Sequence, residues 1–297
     1  LPRLAEEVAA DIIHLSFPAP IRRSAMRCPV VVSLHDLYPY DEPNNFGFPK
    51  VFFNRVFLQQ CLREVDCVAC VSEITLSRLK MRFPRVAHRK SVVVHNCVTI
   101  GSAQAVLPAR RRCKFALMVA QHRANKNILL ALQAFEELIK REKIDKHISF
   151  VLVGNHGPET AAIRLFIKQR SLEERVELID GVSDGELKWL YGNCEFLIAP
   201  SSMEGFGLPI AEGLFCGSRT VCSNIPAFRE IGGDACHYFD LHAELGSSAV
   251  GDAICHALAE PARPAKRLDR FVLENVAREY AALYVQLRED AVGMSEK

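Results

Sequence analysis

Short runs of continuous apolar residues alternate along this chain with longer stretches in which apolar positions recur every three to four residues. The runs at 12–17, 30–35, 65–71 and 92–96, and then at 115–120, 148–154, 176–179, 195–199, 219–223 and 236–239, are four to seven residues long. They suit strands covered on both faces, the pattern of a parallel sheet. The clearest helical stretch is 126–141, where Ile128, Leu132, Phe135 and Ile139 form one stripe and Asn125 is placed to cap the N-terminus. The stretch from 267 onward, with Phe271, Val276, Tyr280, Leu283 and Leu287, also reads as a helix. This alternation predicts doubly wound α/β architecture. Residues 97–113, with Gly101, Pro108 and a basic run, follow neither period and separate the strands into two groups, so they read as an interdomain linker. The second group, 113–265, is a complete Rossmann-like unit of ordinary domain size. The first, 1–105, lacks the opening βα units of such a half and begins at Leu1, so this N-terminal domain is expected to be incomplete.

Composition permits this architecture and narrows the chemistry only a little. With 297 residues, 49% apolar and 24% charged, there is room for two domains, and a net charge of +2 gives no reason to expect nucleic acid. No apolar run approaches the roughly 18 residues of a membrane span, and no signal-peptide pattern is visible. The eleven cysteines are scattered and mostly embedded in apolar segments, which favours a reducing compartment and hence the cytoplasm. Cys67 and Cys70 have redox or zinc spacing, but strand residues three apart face opposite ways, so no metal is expected there.

The most telling segment is Glu204-Gly205-Phe206-Gly207-Leu208-Pro209-Ile210-Ala211-Glu212. Two glycines let backbone N–H groups approach a ligand, and a helix opened by Pro209 offers free donors and a positive dipole end, which suit a phosphate. Glu212, about one turn into that helix, tilts back toward its start, so both carboxylates border one mouth. Repelled by phosphate, they are useful there for hydroxyl groups, and phosphate with hydroxyls suggests a sugar nucleotide. Each residue also has a plainer reading. Acids at a helix start are favoured by the dipole, and Ser183 with Glu186 spells a capping box. Phe53, Val56, Phe57 and Cys61, within the aromatic-rich stretch 46–57, follow helical spacing and read as a core face in preference to a lipid-binding one. His14 and His95 read as structural, and His122 as a neighbour of the site.

The segment 115–240 resembles the donor domain of the retaining glycosyltransferases of family 4, which have the two-domain GT-B fold with Rossmann-like domains facing a cleft. The likeness rests on Glu204 and Glu212 in an E-x7-E pattern after Ala199-Pro200-Ser201, on Gly181-Val182-Ser183-Asp184-Gly185-Glu186-Leu187, and on Gln121-His122-Arg123-Ala124-Asn125-Lys126-Asn127. It extends to Leu34-His35-Asp36-Leu37, Val71-Ser72-Glu73 and Val94-His95-Asn96. The resemblance implies a metal-independent hexosyltransferase with no cofactor beyond its co-substrate, a UDP- or GDP-linked sugar. It would act on a glycan or lipid-linked acceptor, with retention, in cell-surface polysaccharide or glycolipid biosynthesis. By the same resemblance, Arg123 and Lys126 neutralise the diphosphate, and Gly205, Phe206, Gly207 and Leu208 add contacts to it. Glu212 accepts from the ribose hydroxyls, Glu204 faces the transferred sugar, and Val182 lines the base pocket through its backbone. His35 reaches across the cleft toward a donor-sugar hydroxyl or the reacting centre. A C-terminal helix, 267–290, is expected to pack back on the N-terminal domain. The implied location is the cytoplasm, with a peripheral contact at the inner face of the membrane as a further expectation. The alternatives are a non-catalytic nucleotide-sugar-binding protein and another GT-B enzyme such as an epimerase.

Overall fold

The computed structural model describes residues 1–43, 49–87, 90–108, 114–241, 246–261 and 268–295. Phe46 and Phe48 of the aromatic stretch, the basic run at 110–113 and Arg267 lie outside the described residues. The chain divides into two compact units, one of Leu1–Cys97 with Asp269–Lys297 and one of Val98–Leu268.

In the first unit, β1 (Ile13–Leu15), β2 (Val30–Leu34), β3 (Cys67–Cys70) and β4 (Lys90–Val93) form a parallel sheet in that order. Because side chains alternate along a strand, Val30, Val32, Leu34, Val68 and Cys70 join one core. It also takes Leu58, Cys61 and Leu62 from the helix Lys50–Glu64 and Leu76 and Leu79 from Glu73–Arg82. Val31, Cys67 and Ala69 face the other way, onto Val276, Leu283 and Leu287 of the C-terminal helix Leu273–Ser295. Cys67 and Cys70 therefore point to opposite faces, and burial first pushes the Cys70 thiol up to about 12.

One expectation fails in this unit. Of Phe53, Val56, Phe57 and Cys61, only Cys61 is buried, while the other three are 51%, 43% and 41% exposed. Helical residues advance about 100° each, so Leu58, Cys61 and Leu62 make the inward face while Phe53, Val56 and Phe57 form a second stripe on the far side. Amphipathic spacing was present, but it belonged to two stripes.

The second unit is a six-stranded parallel sheet of β5 (Phe115–Val119), β6 (Ser149–Val153), β7 (Val176–Ile179), β8 (Phe196–Ala199), β9 (Thr220–Ser223) and β10 (Cys236–Phe239). Its order is β10-β9-β8-β5-β6-β7. The chain moves outward from β5 to β7, returns to β8 beside β5, and moves outward the other way to β10. The direction of winding thus reverses between β5 and β8. On one face the helix Ile128–Lys140 buries Ile128, Leu132 and Phe135 against this sheet, with the helix Ser247–Ala259 alongside. All ten expected strands are present.

The stretch expected as a linker is partly fastened to the second unit. Lys188 Nζ donates to the carbonyl oxygens of Gly101 and Ala103 at 2.6 and 2.7 Å, and the Val106 N–H donates to Gly185 O at 2.9 Å. A Cβ on Gly185 would stand 2.6 Å from Gln104 O, so this approach needs a glycine.

Candidate functional site

Two loops leave the C-terminal ends of β5 and β8, on either side of the winding reversal, where open α/β sheets form a crevice for ligands. The loop after β5 is pressed against the loop after β6. A Cβ on Gly154 would lie 1.9 Å from Ala120 O, and one on Gly157 would lie 2.5 Å from His122 O. His122 is 1% exposed and its Nδ1 shares a 2.9 Å hydrogen bond with Thr160 Oγ1. Burial, reinforced by His156 and Arg164, lowers its pKa. It is a neutral wedge beneath the loop.

Above that wedge, Arg123 leads into a 3-10 turn, Ala124–Lys126, and Asn127 adopts a left-handed conformation (φ 50°) to start the helix Ile128–Lys140. The predicted Asn125 cap is therefore displaced. Asn125 Nδ2 donates to Met203 O at 3.2 Å and Asn127 Nδ2 to Pro200 O at 2.8 Å, while the Ser202 N–H donates to Asn125 O at 2.9 Å. Both asparagines are spent on lacing the β5 loop to the β8 loop, and the helix starts two residues late.

That lacing brings Lys126 to Glu204. The ammonium lies 2.5 Å from Glu204 Oε1, which also accepts from Ser201 Oγ at 2.8 Å, and the two charged side chains are only 16% and 10% exposed. Arg123, half-buried beside them, makes no ion pair among the described residues. Gly207 has φ 111° and heads the helix Leu208–Phe215, so Leu208 and not Pro209 is its first residue. The Phe206 side chain is buried and Leu208 is 40% exposed, so Phe206 offers the mouth only its backbone.

Glu212 stands on the same helix, half-buried, with Oε2 accepting from the Tyr191 hydroxyl at 2.8 Å. Burial raises its pKa, the tyrosine hydrogen bond pulls the other way, and Asp184 adds to the rise. The next residue, Gly213, lets this helix lie directly on β8, since a Cβ there would stand 2.4 Å from Leu197 Cδ2. Val182 is half-buried in the loop after β7, two residues ahead of the helix Asp184–Asn193. That helix begins with the expected capping box: Ser183 N–H donates to Glu186 Oε2 at 2.9 Å and Glu186 N–H to Ser183 Oγ at 3.3 Å.

His35 lies in the first unit, just past β2. Its ring stacks on Phe17 at 4.9 Å and Nε2 bonds Ser16 O at 3.0 Å. With Phe17, Asp36, Asn54 and Phe57 it lines a cavity of about 300 Å³. His14 is structural: Nδ1 bonds the Tyr284 hydroxyl at 2.6 Å and Nε2 bonds Ser33 Oγ at 2.8 Å.

Two residues outside the segments named in the sequence, Tyr191 and Ser202, thus help to build the site, together with Asn127 and Ser201, which lie inside those segments but had no role assigned. Among the described residues, the group with metal-ligand spacing is His237, His256 and Glu260, and none of the loop residues above belongs to it.

Comparison with known proteins bears on the family and the fold. A family model described as Glycosyl transferases group 1 matches residues 102–244, and one described as Glycosyltransferase Family 4 matches residues 1–101. O-antigen chain mannosyltransferase B of Escherichia coli is 26% identical over 214 residues, covering 69% of this chain and 55% of that protein. The chain spans about half the length of the curated relatives it matches. Among solved structures, sucrose-phosphate synthase of Thermosynechococcus elongatus superposes with a TM-score of 0.72 at 18% identity, over 96% of this chain and 75% of that one. HepE of Anabaena, solved with UDP and glucose, gives 0.70 at 17% identity, over 95% and 80%. No described helix is long and apolar enough to cross a membrane. The chain belongs to the group 1 glycosyltransferases and has the GT-B fold.

Proposed function

We propose that this chain carries the donor site of a retaining, metal-independent hexosyltransferase that moves a sugar from UDP or GDP to a growing cell-surface glycan. The observation that carries this reading is the lacing of the β5 and β8 loops at the winding reversal, which pairs Lys126 with Glu204, next to Arg123, ahead of the helix that carries Glu212. In the reaction, the bond between the anomeric carbon and the β-phosphate oxygen breaks and its electron pair stays on that oxygen. The acceptor hydroxyl oxygen bonds to the anomeric carbon on the same face, and its proton passes to the departing phosphate. Charge building up on the diphosphate is met by Lys126 and Arg123, an ammonium and a planar fork, with the start of the helix Leu208–Phe215 adding its dipole. Glu212 holds the ribose hydroxyls, with Val182 beside the base. Glu204 orients Lys126 and the transferred sugar, and His35 serves the reacting end.

The acceptor is assigned as lipid-linked, and the protein as a cytoplasmic one resting on the inner face of the membrane. Support comes from the cavity beside His35, lined by Phe17 and Phe57, each more than 40% exposed, with Phe52, Phe53 and Val56, also more than 40% exposed, on the helix that carries Phe57. O-antigen assembly by a relative fits the same assignment.

The test is thermal stability with UDP, GDP or ADP, on the native sequence and on Glu212→Ala. A nucleotide at 100 times its dissociation constant should stabilise the fold by about 2.7 kcal/mol, and the variant should lose that shift. Donor hydrolysis and transfer, followed by release of nucleoside diphosphate, separate a transferase from a binding protein or an epimerase. A cooperatively melting protein indifferent to all three nucleotides would refute the reading.

A further inference from the structure

We infer that Tyr191 is a positioning residue for nucleotide recognition: it fixes one oxygen of Glu212 so that the other is presented to a ribose diol. This rests on the reading of Glu212 as the ribose-binding group. The Tyr191 side chain is wholly buried, and its hydroxyl donates to Glu212 Oε2 at 2.8 Å across the helices Asp184–Asn193 and Leu208–Phe215. Ser218 Oγ donates to Tyr191 O at 2.6 Å, which ties the backbone behind the ring to the turn that ends the Glu212 helix. The ring therefore cannot swing, and a phenol has few rotamers to lose.

A glutamate alone has three side-chain torsions, and its carboxylate turns freely about the last of them. Bound to a fixed phenol, it has one oxygen committed and the other outside that hydrogen bond. Burial of Glu212 works against its ionised form, and the Tyr191 hydrogen bond offsets part of that effect. Ionisation matters because only the carboxylate accepts from both hydroxyls without offering a proton of its own. The other titratable groups around Glu212 are Asp184 at the start of the Tyr191 helix, Cys216 at the end of its own helix, and Lys188, whose charge acts on Cys216.

A tyrosine that merely filled space would need any acceptor for its hydroxyl and would not discriminate among ligands. The experiment uses UDP and GDP with their 2′-deoxy counterparts as probes, binding to the whole chain with Tyr191→Phe, Glu212→Gln and the double substitution. Tyr191→Phe should weaken the ribonucleotide about tenfold, the worth of one hydrogen bond to a charged group, and leave the deoxynucleotide much less affected. The acid limb of ribonucleotide affinity should also move to higher pH, because the hydrogen bond that favours ionised Glu212 is gone. In the double substitution the loss should be no larger than in Glu212→Gln alone. Equal weakening of ribo- and deoxynucleotides, an unmoved acid limb, or additive losses would overturn the inference. If Tyr191→Phe does not fold, Ser218→Ala, which frees the backbone behind the ring, takes its place with the same expected direction. Should Glu212→Gln bind both nucleotide kinds as the native chain does, the underlying ribose assignment fails; should it lose the preference while Tyr191→Phe keeps it, only the positioning role fails.

Discussion

Replacing Lys126 by methionine removes a charge from one of the least exposed ion pairs in the protein while keeping most of the side-chain volume. The pair is 2.5 Å apart, with side chains 16% and 10% exposed, far drier than the surface pairs whose contribution is about 0–1 kcal/mol. Taking one partner from a buried pair typically costs about 3–5 kcal/mol, because the other charge is left buried and uncompensated. Ser201 Oγ still donates to Glu204 Oε1, which places Lys126→Met near the lower end, about 3 kcal/mol. For a unit of this size each kcal/mol moves the melting point by about 2–4 °C, so a fall of about 6–12 °C is expected. Adding Glu204→Gln removes the stranded charge, and the double variant should recover part of the loss. Urea denaturation of the four proteins in the cycle gives the coupling energy, expected at about 1–3 kcal/mol for residues in contact. A Lys126→Met protein within about 0.5 kcal/mol of the native one, or strictly additive substitutions, would refute the reasoning.

Gly207→Ala should cost about 2 kcal/mol, since φ is 111° and the added Cβ would stand 3.0 Å from the Phe228 ring; chemical denaturation measures it. The His14 pKa is lowered by burial and then by His35, so the unfolded chain binds more protons and stability is lost as pH falls from about 6.5 toward the folded pKa. His14→Gln should therefore flatten the dependence of the urea midpoint between pH 7.5 and 5.5, with His122 still contributing in the same direction; an unchanged slope refutes the assignment. Replacing Phe52, Phe53 and Phe57 together by serine should leave the melting point nearly unchanged and reduce co-sedimentation with vesicles of bacterial lipid. Equal sedimentation by both proteins would sink the membrane assignment. Glu204→Gln alone should bind the diphosphate more tightly and turn over donor more slowly, and parallel losses in both would contradict its orienting role.

The strands were legible because parallel strands buried on both faces must be continuously apolar; nine of the ten runs begin and end within two residues of the observed strands, while the run at 92–96 is shifted from Lys90–Val93 by two residues at its start and three at its end. Phe17 shows why the ends overshoot: it is as apolar as the strand before it, yet it is 68% exposed beside His35. The helix start at 126 was misjudged for a different reason. Asn125 and Asn127 have the chemistry of caps, but their amides bond carbonyls 73 and 78 residues away. Long-range bonds of that kind leave no local trace. The E-x7-E segment was legible because its parts are adjacent in sequence, whereas Tyr191 reaches Glu212 from a separate helix. In the sequence it is one more residue beside Leu187 and Leu190 on a helical stripe.

The same limit explains why the local charge at the loops could not be foreseen. Read as a list, the loops hold two cations and an acid that a diphosphate would repel. In the fold, Glu204 cancels Lys126 at 2.5 Å, so a ligand approaching the helix start meets the net field of Arg123 and the backbone dipoles. At an effective dielectric of about 20, two unit charges 4 Å apart interact by about 4 kcal/mol. On the proposed reading, a diphosphate would have to compete with Glu204 for the ammonium in the ground state. On the same reading, charge gained by the leaving group would tip the balance toward phosphate, so a Lys126 contact would strengthen as the bond opens, the condition under which binding energy becomes rate.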